Sequence, residues 1–265
     1  MNTQTAIAEP VLLSRQQDGV AWLTLNRPQA RNALSVGLMA ALDAALAAMA
    51  ADPAVHVVVI AGAGPAFCAG HDLREMRANP GRAANEALFT QCANLMLRIV
   101  RLGKPVIARV HGVATAAGCQ LVASCDLAVA AEDARFATPG VNIGLFCSTP
   151  MVALSRAIGR KAAMEMLLTG DFIDAATAKA LGLVNQVVPR AELRPATDAL
   201  ARKIAEKSAM AITLGKEAFY RQIEMDLSAA YAYTNEVMTR NLLAHDAEEG
   251  IDAFIEKRAP MWRDA

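Results

Sequence analysis

The sequence predicts an α/β protein with mainly parallel strands, followed by an all-helical region. Segments with strand patterns alternate with segments whose apolar residues repeat at helical spacing, as in a parallel sheet covered by helices. Two strand segments, 55–61 and 106–110, are mostly apolar runs rich in β-branched residues, interrupted only by His56 and Arg109. Such runs are typical of strands buried on both faces.

The elements of the first half follow in order. Alternating residues around Trp22 predict the first strand. Ser35 is the predicted N-cap of a helix, because its hydroxyl accepts an amide hydrogen bond left open at a helix start. A buried strand, a loop rich in Gly and Ala, a second helix and a strand opened by Pro105 come next. The predicted elements are a strand 20–25, a helix after Ser35 with Leu38, Leu42, Leu46 and Met49 on one face, a buried strand 55–61, a loop 62–72, a helix 85–101 and a strand 106–110.

The second half continues the alternation and then becomes helical. The predicted segments are a turn and helix over 111–124, strands 127–130 and 134–137, a loop 138–149, helices 150–158 and 161–168, a strand 184–188, and helices 193–207, 210–222, 227–243 and 248–257. We therefore divide the chain into an α/β core, 1–189, and a helical C-terminal region, 190–265. Periodicity does not decide whether that region is a subdomain or an oligomerisation arm.

Composition excludes several classes of partner. Lys plus Arg and Asp plus Glu both number 26, so the net charge is zero, which argues against nucleic acid, because phosphate binding needs a basic excess. The longest apolar stretches, such as 40–51, are interrupted by Asp43 and too short to span a bilayer. With 54% hydrophobic and 20% charged residues, the chain can bury a large core. We expect neither a nucleic-acid nor a membrane partner.

Cysteine usage indicates a reducing compartment. The cysteines form no CxxC pair, and the chain has only 4 histidines, so we expect no metal site. Residues 1–10 have no basic segment followed by an apolar one, so no secretory signal is expected. The predicted location is the cytoplasm. The cysteines are Cys68, Cys92, Cys119, Cys125 and Cys147.

Three loops directly after predicted strands are the candidate site: 65–73, 111–120 and 136–144. In parallel sheets, ligands collect beyond the carboxyl ends of the strands. Ala116-Ala117-Gly118 at a helix start leaves N–H groups unpaired, and the amides of Gly70-His71-Asp72 could face them. Two converging N–H groups make an oxyanion hole. Tight connections in a packed core need the same small residues, so both interpretations stay open at this point.

Several short motifs, all in order, resemble the enoyl-CoA hydratase/isomerase (crotonase) superfamily from about Val11 to the C-terminus. They are Leu25-Asn26-Arg27-Pro28, Asn32-Ala33-Leu34, Ala66-Phe67-Cys68-Ala69-Gly70-His71-Asp72-Leu73, Lys104-Pro105-Val106-Ile107-Ala108, Cys125-Asp126-Leu127 with Phe136, Thr169-Gly170, Gly182-Leu183-Val184 and Phe254-Ile255-Glu256-Lys257-Arg258. The resemblance implies a crotonase-like spiral of ββα units with a helical C-terminal region that forms a homotrimer or a dimer of trimers.

The resemblance also implies a ligand and its contacts. The substrate would be an acyl-CoA thioester, with coenzyme A as part of the substrate and no tightly bound cofactor. The oxyanion-hole donors fall on the N–H groups of His71 and Ala117. The adenine would pack against the backbone of Cys68, Ala69 and Gly70. The CoA phosphates would meet Arg27, Arg74 and, from a neighbouring subunit, Lys257.

Two positions depart from the family pattern. Family hydratases use one glutamate in the second loop and one in the third, and those positions hold Gln120 and Gly140. Hydration needs a base for water and an acid for the α-carbon, so we expect poor hydration and partial restoration by glutamate at both positions. His71 beside Asp72 could titrate instead. We expect Asp72 and Glu75 to stabilise the following helix and the thiols to be small buried apolar groups.

Three functions remain open from the sequence. The first is an acyl-CoA lyase or isomerase, nominally an enoyl-CoA hydratase, with altered acid–base groups. The second is hydrolysis or decarboxylation of a CoA thioester, which needs only oxyanion or enolate stabilisation. The third is acyl-CoA binding without turnover.

Overall fold

The computed structural model describes residues 9–264. Most of the N-terminal segment judged to lack a secretory signal therefore lies outside the described residues. The strands are β1 (Leu12–Gln17), β2 (Val20–Leu25), β3 (Val57–Gly62), β4 (Val106–Val110), β5 (Val113–Thr115), β6 (Leu127–Ala131), β7 (Arg135–Ala137), β8 (Ile173–Asp174) and β9 (Gln186–Val188).

The helices alternate with these strands as far as β9, and the described chain after β9 contains only helices. They are α1 (Val36–Ala51), α2 (Leu73–Ala78), α3 (Arg82–Arg101), α4 (Ala117–Ser124), α5 (Pro150–Ala157), α6 (Arg160–Thr169), α7 (Ala175–Leu181), α8 (Leu193–Ala205), α9 (Ala209–Gln222), α10 (Leu227–Leu242) and α11 (His245–Glu256). In the described part of the chain, no helix is both long enough and apolar enough to cross a bilayer.

Two sheets carry the site loops. The larger has the order β1-β2-β3-β4-β6-β9 and is parallel except at the antiparallel pair β1 and β2. The smaller has the order β5-β7-β8, with β5 and β7 parallel. The parallel α/β prediction is confirmed. Because β3 and β4 are neighbours and β5 follows β4 directly, the first and second site loops emerge side by side.

The core covers both faces of the larger sheet. Phe67 and Phe136 are fully buried among the residues that α1, α3 and α4 contribute to one face. Leu193 and Ala201 of α8 pack against the other face, on Val57, Val59 and Ile107 among others. α8 thus lies with the sheet, whereas α9, α10 and α11 pack on one another. The division at 189/190 stays a prediction.

A buried polar cluster fastens α9 to the core. The ammonium of Lys216 donates to Asp126 Oδ2 at 2.6 Å and to the carbonyls of Ile99 and Lys104 at 3.0 Å each. The Tyr220 hydroxyl donates to Asp126 Oδ1 at 2.9 Å. Burial lowers the pKa of Lys216, and Asp126 opposes that shift. The Asp126 of the family-like Cys-Asp-Leu motif is therefore structural.

The long apolar segments match the prediction, and the polar or short ones were missed. β2 and β4 have the predicted bounds, and Ser35 caps α1 by accepting from the Leu38 amide at 3.1 Å. β1 was missed because its sequence is mostly exposed and shows no alternation. β5, β8 and α7 were missed because elements of two to seven residues carry no measurable period. A helix was expected after Asp72, but the bounds of α2 were not predicted. The observed strands β3 and β9 begin later than predicted. The reason is that Val55 and Val184 are buried but lie in the connections before these strands.

Candidate active site

The first site loop, between β3 and α2, is held in place by Asn32. This side chain is fully buried, and the residue has a left-handed backbone with φ 55°. Its Nδ2 donates to the carbonyls of Ala63 and Ala66 at 2.8 Å each, and its Oδ1 accepts from the Arg27 amide at 2.9 Å. Both polar atoms of the Asn32 side chain form hydrogen bonds to backbone, so this buried residue holds the first loop in place.

The end of this loop lies between β5 and the segment before α1. The Cys68 amide donates to Val113 O at 3.1 Å. On the other side, the Leu34 amide donates to Gly70 O at 2.7 Å, and the Asp72 amide donates to Leu34 O at 3.3 Å. These bonds use the residues on either side of His71. Among residues 9–264 no backbone acceptor pairs with the His71 N–H.

The second loop presents another free amide. Ala116 has φ 49° and ψ −119°, a conformation that L residues rarely adopt, and its amide donates to Ala137 O at 2.9 Å. This turn makes Ala117 the first residue of α4, and an N–H at that position has no acceptor within its own helix. Ala117 is fully buried. Its N–H therefore faces protein interior rather than solvent.

The two free amides lie close together. A Cβ built on Gly70, the residue before His71, would be 3.4 Å from Ala117 N and 3.0 Å from Thr115 O. A Cβ on Gly118 would be 2.1 Å from Cys68 O, so α4 abuts the first loop directly. Only glycine permits this approach. The α4 dipole adds positive potential at the same point. The arrangement can stabilise negative charge on an oxygen placed between the amides.

Gln120 lies one turn beyond Ala117, where the family has its second-loop glutamate. Its side chain is buried, and its Oε1 accepts from the Cys92 thiol of α3 at 4.0 Å. An amide cannot carry a proton between substrate atoms at neutral pH. Burial raises the pKa of Cys92 and of Cys119 to about 12, so these thiols are neutral. The expectation that the cysteines are buried is confirmed.

Gly140, at the third-loop position, has no room for a side chain. A Cβ there would be 2.3 Å from Leu145 O and 2.9 Å from Cys147 Sγ. The Leu145 amide donates to Gly140 O at 2.9 Å, which holds the following loop against it. This crowding argues against the expectation that glutamate at this position helps restore hydration, because even a Cβ there would displace backbone.

The His71 imidazole has an unusual environment. Its ring meets Phe89 of α3 edge to face, with centroids 5.7 Å apart. Both ring nitrogens are buried, and no protein atom in the described chain hydrogen-bonds to them. Burial lowers the pKa of His71; the Leu34 carbonyl, outside hydrogen-bond geometry, and the Glu75 carboxylate oppose the shift. The ring is therefore neutral at pH 7.

The neighbouring carboxylates have structural tasks, as expected. Asp72 caps α2 by accepting from the amides of Arg74 and Glu75 at 3.1 and 3.3 Å. It also pairs with Arg27 at 2.8 Å, and that contact is the main cause of its lowered pKa. Glu75 accepts from the Val36 amide at 2.9 Å.

The proposed CoA contacts are only partly brought together in one chain. Arg27 reaches the first loop, donates to Ala33 O at 2.6 Å and borders an open cleft of about 450 Å³. Arg74 is exposed on α2. Lys257 is exposed at the end of α11 with φ 57°, in the helical region. The structure describes one subunit, so the contact from a neighbour stays a prediction.

Sequence reasoning missed Phe89, Leu145, Cys147 and the strained Ala116. Phe89 precedes Cys92 by one turn on a helix whose apolar face was identified, so helical spacing could have suggested it. Nothing in the sequence shows that the 145–147 segment folds back on Gly140. Within residues 9–264, no group of three or more His, Cys, Asp or Glu side chains could hold a metal ion.

Comparison with known proteins shows the family to which this chain belongs. The family model for enoyl-CoA hydratase/isomerase matches residues 15–265. The chain is 48% identical to the Xenopus laevis enoyl-CoA hydratase domain-containing protein 3, mitochondrial, over 96% of this chain and 86% of the relative. The human protein of that name is 48% identical, over 94% and 82%.

Solved structures give the same result. A crystal structure of an enoyl-CoA hydratase from Mycobacterium smegmatis has a TM-score of 0.94 and 58% identity, covering 96% of this chain and 99% of its own. The crystal structure of human enoyl-CoA hydratase domain-containing protein 3 has a TM-score of 0.93 and 47% identity, covering 95% and 100%. The fold and the matched length agree, and this chain belongs to the enoyl-CoA hydratase/isomerase family, with the crotonase fold.

Proposed function

We propose that the protein binds acyl-CoA thioesters and stabilises the negative charge that develops on the thioester carbonyl oxygen. The observation that carries this proposal is that the N–H groups of His71 and Ala117 have no backbone acceptor in the described chain and lie on segments that touch, since a Cβ on Gly70 would be 3.4 Å from Ala117 N. An enolate or a tetrahedral intermediate places its charge on that oxygen. Backbone amides are already oriented, so no reorganisation is needed when the charge develops.

The reaction is proposed as a lyase or isomerase reaction of the family, nominally hydration, with altered proton transfer. Gln120 and Gly140 supply no carboxylate, and the second position cannot accept one without moving the backbone. Hydration of a short enoyl-CoA should therefore be slow. Hydrolysis and decarboxylation remain competing functions, because they need the oxyanion hole but not both glutamates. Binding without turnover also remains, because it needs no proton transfer.

The CoA moiety is proposed to lie along the first loop. Its adenine would contact the backbone at Cys68–Gly70, and its phosphates would meet Arg27 beside the open cleft, Arg74, and Lys257 of a neighbour. The guanidinium of Arg27 already pairs with Asp72 and donates to Ala33 O. We therefore expect it to attract the phosphates by its charge rather than to bind one with a bidentate hydrogen bond. No tightly bound cofactor is proposed.

The helical region is proposed to form a homotrimer or a dimer of trimers. α10 and α11 expose large apolar side chains, among them Leu227, Leu243, Phe254 and Ile255 with 70–84% exposed. Such a surface marks an interaction site. A monomeric mass by light scattering at micromolar concentration would contradict this. The cytoplasmic location also stays a prediction; the animal relatives carry the word mitochondrial in their names.

A panel of acyl-CoA thioesters, followed by mass spectrometry, tests the proposal. Gain of water identifies hydration, release of free CoA identifies hydrolysis, and loss of carbon dioxide identifies decarboxylation. Double-bond migration leaves the mass unchanged and is followed by enoyl absorbance. Calorimetric titration detects binding without turnover. Absence of both binding and turnover across the panel would refute the proposed function.

A further inference from the structure

The His71 side chain is the feature of the site that its proposed oxyanion role does not use. Both ring nitrogens are buried, and no protein group in residues 9–264 pairs with either. Burying a polar group without a partner costs stability, and such groups in folded proteins call for an explanation. The N–H role of this residue would be served equally by any side chain. The imidazole itself therefore needs a separate reason.

Other groups around the oxyanion hole do not transfer protons. Gln120 is an amide, and Gly140 has no side chain. The thiols of Cys92 and Cys119 are neutral, because burial raises their pKa. The carboxylates of the first loop and α2 are held by a guanidinium and by helix amides, as described above. Of these groups, the imidazole alone offers a basic nitrogen to which no protein atom in residues 9–264 hydrogen-bonds.

Covalent geometry keeps the ring near the reacting atoms. The far ring nitrogen of a histidine is at most about 6 Å from its own amide nitrogen. If the His71 N–H binds the thioester oxygen, the acyl α-carbon is only two bonds from that oxygen. α3 joins the ring to the rest of the site, because Phe89 contacts His71 and Cys92, one turn on, contacts Gln120. Phe89 is 36% exposed, so the side chain that contacts the imidazole lies partly at the surface.

We propose that His71 is a catalytic residue whose imidazole takes a proton from the α-carbon of a bound acyl-CoA. The α C–H bond breaks, an N–H bond forms on the ring, and the electron pair moves into the thioester to give an enolate held by the two amides. The imidazolium returns the proton to the α-carbon or, in a β,γ-unsaturated acyl group, to the γ-carbon. The first outcome is proton exchange, and the second is double-bond migration; neither needs a co-reactant. This inference rests on the proposed acyl-CoA function.

The test uses 3-butenoyl-CoA in D₂O, with and without protein. Mass spectrometry follows deuterium entering the acyl group, and enoyl absorbance follows conversion to crotonyl-CoA. His71→Gln keeps the backbone N–H and removes the proton acceptor. The matched control is His56→Gln, because His56 also has a buried, unpaired ring nitrogen but lies beside Gly19, away from the site. Calorimetry with butyryl-CoA measures binding by all three proteins.

We expect the wild type and His56→Gln to exchange at equal rates and His71→Gln to exchange about 10²-fold or more slowly while still binding butyryl-CoA. Exchange by His71→Gln at the wild-type rate overturns the inference, and so does a wild type that binds but does not exchange. A wild type that binds no acyl-CoA overturns the proposed function and the inference with it.

A second measurement covers the case in which His71→Gln misfolds. The chain has only 4 histidines, so the ring nitrogens of the ¹⁵N-histidine-labelled wild type can be assigned by NMR. Butyryl-CoA should shift the His71 ring signals and leave those of His56 in place. Unchanged His71 signals in a saturated complex would mean that the ring does not meet the acyl group, which overturns the inference.

Discussion

The second and third loops enter the same site and differ in what they contribute. The second loop contributes backbone: the strained turn at Ala116 presents the Ala117 N–H, and small residues let α4 approach the first loop. In the family, the third loop contributes a side chain, but here Gly140 is covered by Leu145 and Cys147. Under the proposed function, the comparison teaches that charge stabilisation by amides tolerates a change of side chains, whereas acid–base chemistry by glutamates does not.

The largest expected effect is on the backbone contribution. Ala117→Pro removes the N–H at the first helical position, where proline is otherwise tolerated. Turnover of the thioester found active in the panel should fall about 10²–10³-fold, which is about 3 kcal/mol. Ala117→Gly keeps the N–H and is the control. Equal rates in the two variants, with both proteins folded by circular dichroism, would remove Ala117 from the oxyanion hole.

The side-chain contribution should respond differently at its two positions. Gln120→Glu places a carboxyl on a residue of nearly equal size and should raise hydration of crotonyl-CoA by up to about 10²-fold. The gain is limited because a second acid is missing and burial raises the pKa of the introduced carboxyl. Loss of enoyl absorbance measures it. Robust hydration by the wild type would show that the protein has another acid–base pair.

At the third loop, substitution should damage the fold rather than restore activity. Gly140→Ala already introduces the Cβ that meets Leu145 O, so it should lower the free energy of unfolding by about 1–3 kcal/mol. Gly140→Glu should cost at least as much and add no hydration. Denaturant unfolding of both variants measures the cost. Wild-type stability in Gly140→Ala would mean that the 145–147 segment yields easily, and the space would then be available.

Relief of strain at Ala116 should have a smaller effect, of opposite sign. Glycine adopts φ 49° and ψ −119° without the penalty of a Cβ, but it loses more chain entropy on folding. We expect Ala116→Gly to stabilise the protein by about 1 kcal/mol and to raise its Tm by about 2–4 °C. Ala123→Gly, in the last turn of α4, should do the reverse. A lower Tm for Ala116→Gly would mean that the turn carries no strain.

The smallest expected effect is on pH dependence. Burial is the main cause of a lowered pKa at both His71 and His111. The unfolded chain has histidines near pKa 6.5, so below that pH it binds protons that the folded chain does not. The free energy of unfolding should therefore fall as the pH drops from 7.5 to 5.5, and His71→Gln should weaken this dependence. Thermal unfolding at both pH values measures it.

The fold was predictable from long apolar segments, and the site was predictable as far as backbone chemistry. Small residues at Gly70 and Gly118 indicated close approach, and the structure shows both approaches. Contacts between a loop and the segment that folds back on it were not predictable. An example is the contact of residues 145–147 with Gly140. Positive φ at Ala116 was hidden because alanine gives no local signal for it. Both features depend on distant packing rather than on local pattern.

The central claim is that two backbone amides polarise a thioester carbonyl without help from a glutamate pair. Difference infrared spectroscopy of crotonyl-CoA carrying ¹³C at the carbonyl tests this directly, because hydrogen bonds to that oxygen weaken the C=O bond. The account predicts a lower carbonyl stretching frequency in the complex than in solution, moving back toward the solution value in Ala117→Pro. A bound thioester whose frequency equals that of the free one would contradict it.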